Sequence, residues 1–482
     1  MADSLEKEAQ SADVIIVGLG AAGASAAIEA RAQGADVLVL ERASAGGGST
    51  AYSGGFVYLG GGTRVQKHVG FEDTAEEMFK FLMASTPEPD EEKIRLYCDD
   101  SVTHFEWLEA QGVTFDDSFY PHKHFEHPTK DGLAWSGNEK AWPYYEKAKP
   151  APRGHKVFVP TGEGKLGEGG FHLAHTLADR ARAAGARIEC DARVLALIQD
   201  DTGRVTGVRY KQFGEEKTAH AKRGVMLTTG GFGENKEMAK KYSPELSDDK
   251  VTVVGAPYAD GSGIDLGLSA GGTTGYIGAL ITAPFYPPAS LLKGILVNKD
   301  GQRFINEDSY HGRSCTASFR QPGGIAYLIC DNAIFERPEF GSQPLIDAWE
   351  TVTDMEKGLG ITTGALQKTI AAYNANAAKG DDPTFHKIKE WLQPLDNPPY
   401  AALDCSVGKA TYMGFTLGGL KVSKDGEVLN TKDQPVRGLY AAGACASTIA
   451  QDSIGYASGT CIGESTYFGR RAGRHAAGLV QQ

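Results

Sequence analysis

Hydrophobic and polar positions set out the architecture before any single residue does. Asp13–Arg42 reads as a β-branched strand, a glycine turn, an alanine-rich helix and a second apolar strand. Two further apolar runs end in glycine turns: Gly224–Gly233, containing Val225–Met226–Leu227, and Gly438–Leu439–Tyr440–Ala441–Ala442–Gly443. Such uninterrupted runs suit parallel strands covered on both faces. Between them, residues 72–113 predict two helices separated by Pro87 and Pro89. Residues 114–165, rich in Pro, Gly, His and aromatic side chains, read as a loop. A helix from Gly167 leads into Arg187–Cys190 and a hairpin around Asp201–Gly203. Near Tyr276 the pattern changes to apolar loops, a turn at Asp300–Gly301 and helical stretches over 324–380.

Turn chemistry gives the first of these segments a function. Gly18 permits the tight turn, Gly20 leaves room for a pyrophosphate, and Gly23 lets helix and strand pack closely. The N–H groups opening the helix, at Ala21 and Ala22, face the phosphates, and Glu41 ends the second strand where a carboxylate accepts from ribose hydroxyls. The chain is therefore expected to bind a dinucleotide. Three later segments favour FAD over a nicotinamide cofactor: a second small-residue loop at 45–55, the strand ending at Gly230–Gly231, and the C-terminal strand ending at Gly443. The expected contacts are completed by Arg42, Gly48, Ser49, Thr50, Ser53, Gly54, Gly55, Val194, Thr229, Ala444, Gly459 and Ile462.

Composition narrows the setting. A chain of 482 residues has length for two cores, and 61 glycines suit many tight cofactor turns. A net charge of −12 argues against nucleic acid and anionic membranes. Seven cysteines without a CxxC pair predict a reducing compartment and no metal centre. The start of the chain is acidic and polar, unlike a secretion signal, and no apolar run reaches spanning length. A cytoplasmic, soluble protein is expected.

Several motifs then recur in a known order: the N-terminal fingerprint, Thr228–Gly231, Gly301–Glu307, Gly438–Gly443, Gly459–Gly463 and Phe468–Gly473. Together they resemble the fumarate reductase/succinate dehydrogenase flavoprotein superfamily, and within it the 3-ketosteroid dehydrogenases, the Δ4-(5α) branch in particular. The resemblance implies an α/β fold: a Rossmann-like FAD-binding domain, residues 1–273 and 399–482, with an inserted α+β capping and catalytic domain at 274–398. Dicarboxylate enzymes of the superfamily carry two arginines where this chain has Tyr310 and Tyr456. A doubly charged substrate needs fixed cations, so the departure argues against a dicarboxylate. The histidine that carries covalent FAD in succinate dehydrogenases is missing from residues 46–53, which implies non-covalent FAD, and Ala444 stands where relatives place an acid.

The implied reaction removes an α-hydrogen as a proton and a β-hydrogen as hydride from a 3-ketosteroid, with an external electron acceptor. Tyr456 is the expected donor to the C3 oxygen, with the Gly459 N–H assisting; Ser458 faces the α-proton, and Tyr310, extended by His311, relays it. His155 and His172 read as surface or helix polarity, and Arg303 and Glu307 as residues that orient the cap. The apolar stretch Ala279–Tyr286, with Leu291 and Leu292, is open to two readings, steroid pocket or core. Three alternatives stay open: Δ1-desaturation, the reverse reaction on a fumarate- or urocanate-like acid, and electron transfer without an organic substrate.

Overall fold

A computed structural model describes residues 9–160, 162 and 167–478. The acidic start of the chain, and residues 161 and 163–165 of the predicted loop, lie outside the described residues. The largest sheet runs Glu427–Leu429, Pro435–Ala441, Glu215–Leu227, Gln10–Val17, Val37–Leu40, Arg187–Glu189, with the hairpin Ala192–Gln199/Val205–Gln212 joined to Glu215–Leu227. Its centre is parallel: Gln10–Val17 pairs with Val37–Leu40 and with Glu215–Leu227, which pairs with Pro435–Ala441. Val14, Ile15 and Ile16 are fully buried: Val14 and Ile16 lie in the core with helix residues such as Ala24 and Ala472, and Ile15 in the core with Val194 and Val208 of the hairpin and Ile264. The helix Ala21–Ala32 crosses the C-terminal helix Thr460–Gly478 at small residues. A Cβ on Gly469 or Gly473 would stand 2.4 Å from the carbonyl oxygen of Ala22 or Ala26. That close crossing binds the end of the chain to its beginning.

Three expected segments differ in detail. The second predicted helix of 72–113 is two, Glu91–Asp99 and Ser101–Ala110, broken at Asp100, whose carboxylate accepts from the Tyr467 hydroxyl at 2.6 Å. The predicted loop carries short strands, Phe119–Tyr120, Leu133–Ala134 and Gly154–Lys156, which join Phe56–Tyr58 in a four-stranded sheet. Strands this short give almost no periodic signal. Likewise 324–380 begins with two strands, Ala326–Asp331 and Leu345–Trp349, before the helices Val352–Leu359 and Ala365–Ala377.

The stretch expected as a cap carries the sheet Ile295–Asn298, Ala326–Asp331, Tyr400–Asp404, Leu345–Trp349, whose strand Tyr400–Asp404 lies past the expected boundary at 398 because it pairs with Ala326–Asp331. A buried ionic cluster ties it together. Arg303 reaches Glu307 at 2.8 Å and Asp382 at 2.9 Å, and Lys387 reaches Glu307 at 3.3 Å. Burial pushes the Glu307 carboxyl up, but Arg303 and Lys387 more than offset it and hold it below the usual range. Phe285 and Leu291 pack into this core. A separate sheet, Val251–Val253, Tyr412–Lys421, Thr274–Thr282 with Ala446–Ser447, lies between cap and main sheet.

Candidate active site

A cleft of about 520 Å³ opens over the carboxyl ends of the central strands, the usual ligand position in such sheets. Gly18 makes the turn at φ +105°, and a Cβ there would lie 2.4 Å from the Thr228 carbonyl oxygen. At Gly23 a Cβ would meet the Gly18 oxygen at 2.1 Å, whereas at Gly20 the nearest atom is 3.8 Å away. Gly18 and Gly23 thus serve close packing, and Gly20 leaves open space at the helix start. The loop Gly48–Tyr52 lies across that start, with Ser49 Oγ accepting from Ala256 N at 3.0 Å. The Glu41 carboxylate accepts from Leu19 N at 2.6 Å and Ala43 N at 2.8 Å, and burial raises its pKa.

Of the expected cofactor residues, Gly18, Gly20, Ala21, Ala22, Glu41, Arg42, Gly48, Ser49, Thr50, Val194, Thr229, Gly230, Gly443 and Ala444 line this cleft. Gly23, Ser53, Gly54, Gly55, Gly231, Gly459 and Ile462 do not. A Cβ on Gly54 would meet the Glu126 carboxyl at 2.5 Å, on Gly55 the Gly169 backbone at 2.3 Å, and on Gly231 the Thr416 hydroxyl at 2.0 Å. Gly459, at φ +99°, accepts from Tyr58 N at 3.1 Å through its carbonyl. Residues without a motif also line the cleft, among them His175, Pro257, Tyr258 and Ser465. Arg42 bridges Asp260 at 2.6 Å and lies 4.7 Å from the Tyr258 ring centroid. Thus the cradle fits a dinucleotide of FAD size, with bare glycine and helix N–H groups at the phosphate position.

From Tyr52 in the cleft, the chain runs to Phe56 in the wall of a second, small cavity. Of the three expected catalytic residues, Tyr310 and Ser458 line it and Tyr456 lies beside Tyr310. The Tyr310 hydroxyl lies 3.0 Å from Ser458 Oγ, and the Tyr310 and Tyr456 ring centroids are 6.1 Å apart. Leu280, Leu417 and Phe415 pack around the two tyrosines. Burial pushes both phenols far above their ordinary pKa, so each is protonated at rest.

Asn138 joins the two halves. Its side chain, fully buried, donates to Ile454 O at 3.0 Å and accepts from Tyr310 N at 2.7 Å. Ser458 N donates to Ser136 O at 2.7 Å. Both anchors come from the stretch read as a loop. His311 stacks on Tyr310 with centroids 3.8 Å apart, and its Nδ1 meets the Tyr286 hydroxyl at 3.3 Å. Burial keeps His311 neutral. His155 is no surface residue. It is fully buried, bonded to Thr63 Oγ1 at 2.8 Å and Arg153 O at 3.1 Å, and burial pushes its pKa down to about 4. His172 lies half-buried on the helix Glu168–Ala183. Among the described residues there is no cluster of metal-binding side chains, and no helix long and apolar enough to cross a membrane.

Comparison with known proteins places the chain among flavoproteins. The crystal structure of 3-ketosteroid-Δ4-(5α)-dehydrogenase from Rhodococcus jostii RHA1, in complex with 4-androstene-3,17-dione, matches with a TM-score of 0.91 and 41% identity, covering 99% of both chains. The 3-oxo-5-alpha-steroid 4-dehydrogenase of Comamonas testosteroni is 31% identical over 500 residues, 90% of this chain and 92% of its own. Probable fumarate reductase Ifc3 of Shewanella frigidimarina is 28% identical over 97% of this chain and 75% of its own. Residues 13–454 match the family described as FAD binding domain, so the protein belongs to that family of FAD-dependent oxidoreductases.

Proposed function

We propose that this protein desaturates 5α-3-ketosteroids between C4 and C5. The observation that carries this reading is the Tyr310–Ser458 hydrogen bond of 3.0 Å beside Tyr456. Both tyrosines stand where dicarboxylate relatives carry arginine, and the site offers neutral donors in an apolar setting. Similarity to the Rhodococcus and Comamonas steroid dehydrogenases supports the same substrate class.

FAD, when bound, supplies the hydride acceptor at N5. Tyr456, held protonated by burial, donates to the C3 oxygen and stabilises the developing enolate. Ser458 takes the α-proton as its own moves to Tyr310 and the Tyr310 proton leaves towards solvent, a relay that overcomes the weakness of an isolated serine as base. The apolar surroundings exclude water and place the steroid body, whose burial supplies most of the binding. FAD is held non-covalently, an external acceptor reoxidises it, and the protein works in the cytoplasm.

Anaerobic mixing of the flavin-loaded protein with a saturated 5α-3-ketosteroid tests this directly. Loss of flavin visible absorbance, with the 4-ene-3-ketone as product, is expected. Tyr456→Phe should keep its flavin and lose turnover roughly 100-fold or more. Reduction by the 4-ene alone would mean Δ1 chemistry, and reoxidation of reduced flavin by fumarate but not by an enone would restore the ene-reductase reading. Release of flavin on acid precipitation checks the non-covalent linkage.

A further inference from the structure

The small cavity beside the tyrosine pair contains more proton-handling chemistry than the desaturation itself uses. Its volume is about 10 Å³, and Tyr310, Ser458, Ser136 and His124 stand in its wall. A space of about 10–15 Å³ with polar partners holds one water. Such partners are present: Ser136 Oγ and His124 Nδ1 are buried and make no hydrogen bond. Buried polar atoms of this kind are normally satisfied, by water where protein atoms do not reach them. On its other side, His124 Nε2 lies 3.0 Å from Glu339 Oε2. The His124 side chain is 5% exposed and that of Glu339 is 45% exposed, so the ring spans cavity and surface.

We propose that this cavity holds a single water, through which Tyr310 passes the substrate proton to His124 and Glu339. The inference rests on the desaturation proposed above. The C4–H bond breaks and its proton joins Ser458 Oγ as the Ser458 proton moves to Tyr310. The Tyr310 proton moves to the water, and a water proton joins His124 Nδ1. The imidazolium, paired with Glu339, gives a ring proton through that carboxylate to solvent, and tautomer exchange restores the ring. The electron pair of the broken bond would form the new double bond, with bound FAD supplying the hydride acceptor.

The electrostatic setting suits a transient carrier. Burial lowers the His124 pKa; Glu339 opposes this, as does a Glu126 carbonyl contact that falls short of hydrogen-bond geometry, and Lys156 adds to the lowering. Tyr120, His122, His127, Tyr286, His311 and Lys123 also stand in the cavity wall, and burial pushes Lys123 down to about 8. The ring is thus neutral at rest and ready to accept. The neighbouring His311 provides no comparable route, since its partner Tyr286 and the ring itself are both buried.

His124→Gln and Glu339→Gln are compared with the unsubstituted holoenzyme in anaerobic flavin reduction by a saturated 5α-3-ketosteroid, across pH and in D2O. His124→Gln should slow reduction roughly 100-fold at an unchanged half-saturating steroid concentration, with recovery on adding imidazole. Glu339→Gln should move the acidic limb of the profile to lower pH, because His124 loses the carboxylate that favours its protonation. Reduction of His124→Gln at the unsubstituted rate overturns the proposal. So does a loss that imidazole leaves unrepaired and that leaves the pH profile unmoved, which would assign the ring a structural role. If His124→Gln does not fold, the half-exposed Glu339→Gln decides by its pH profile. If no 3-ketosteroid reduces the unsubstituted protein, the desaturation reading has failed, and the exit falls with it.

Discussion

Asn138 gives the sharpest test of how the active site is held. Its side chain is the direct bridge between Tyr310 N, at 2.7 Å, and Ile454 O, at 3.0 Å. Asn138→Ala removes two buried hydrogen bonds, each worth about 1 kcal/mol net. It also strands the Tyr310 N–H, at a cost of about 1–3 kcal/mol, whereas Ile454 O keeps a long contact with the Tyr144 hydroxyl at 3.5 Å. A total loss of about 3–5 kcal/mol is expected, read from the urea midpoint of the holoenzyme. Catalysis should suffer more than stability. Tyr310 caps the helix His311–Phe319 and meets Ser458 at 3.0 Å, and a displacement of about 1 Å can cost on the order of 100-fold. That loss should fall on kcat while flavin content stays unchanged, since Asn138 does not line the dinucleotide cleft. Asn138→Asp keeps the acceptor for Tyr310 N and loses the donor to Ile454 O, so it separates the two bonds. A variant Asn138→Ala within about 0.5 kcal/mol and two-fold of the unsubstituted turnover would refute the reasoning.

Two further substitutions probe other parts of the fold. Gly23→Ala places a Cβ 2.1 Å from the Gly18 oxygen, so the purified protein should carry little flavin, measured as the ratio of flavin to protein absorbance; full flavin content would show that the turn can shift. Glu464 is buried, accepts from Thr448 Oγ1, Ile449 N and Ala450 N, and is raised by burial to about 7 from 4.5. Its contribution to stability is complete below about pH 4.5 and falls by about 3 kcal/mol as pH rises to about 7, because the unfolded carboxyl ionises first. Glu464→Gln should lack that part of the slope in urea titrations between these pH values, and parallel slopes for both proteins would contradict the assignment.

The resemblance pointed to Tyr310, Tyr456 and Ser458, which lie together in the structure, without explaining what the glycines around them do. Gly54, Gly55 and Gly231 were expected against the cofactor, and at each of them an added Cβ would meet a close protein neighbour. A glycine signals that something approaches closely, and the sequence does not say what. His155 illustrates the same limit: its burial follows from the packing of Phe105 and Phe115 around the ring. Asn138, Ser136 and His124 lie in a stretch whose strands are two or three residues long, too short for period or propensity to mark them. The cluster of histidine and aromatic residues there was the available hint.

By itself the sequence determined the dinucleotide cradle. Its parts lie within Val14–Glu41, and a strand, a positive-φ glycine, a helix start and a terminal acid are all local requirements. Position in a known motif order also led to the expectation that two tyrosines stand where dicarboxylate relatives carry arginines. Only the tertiary structure decided that Tyr310 and Ser458, 148 residues apart, share a hydrogen bond, and that His124 stands beside them with one edge towards the surface. Local rules fix φ, ψ and which face of an element is apolar. Which distant side chains meet depends on how all the elements pack at once, and that information is spread over the whole chain.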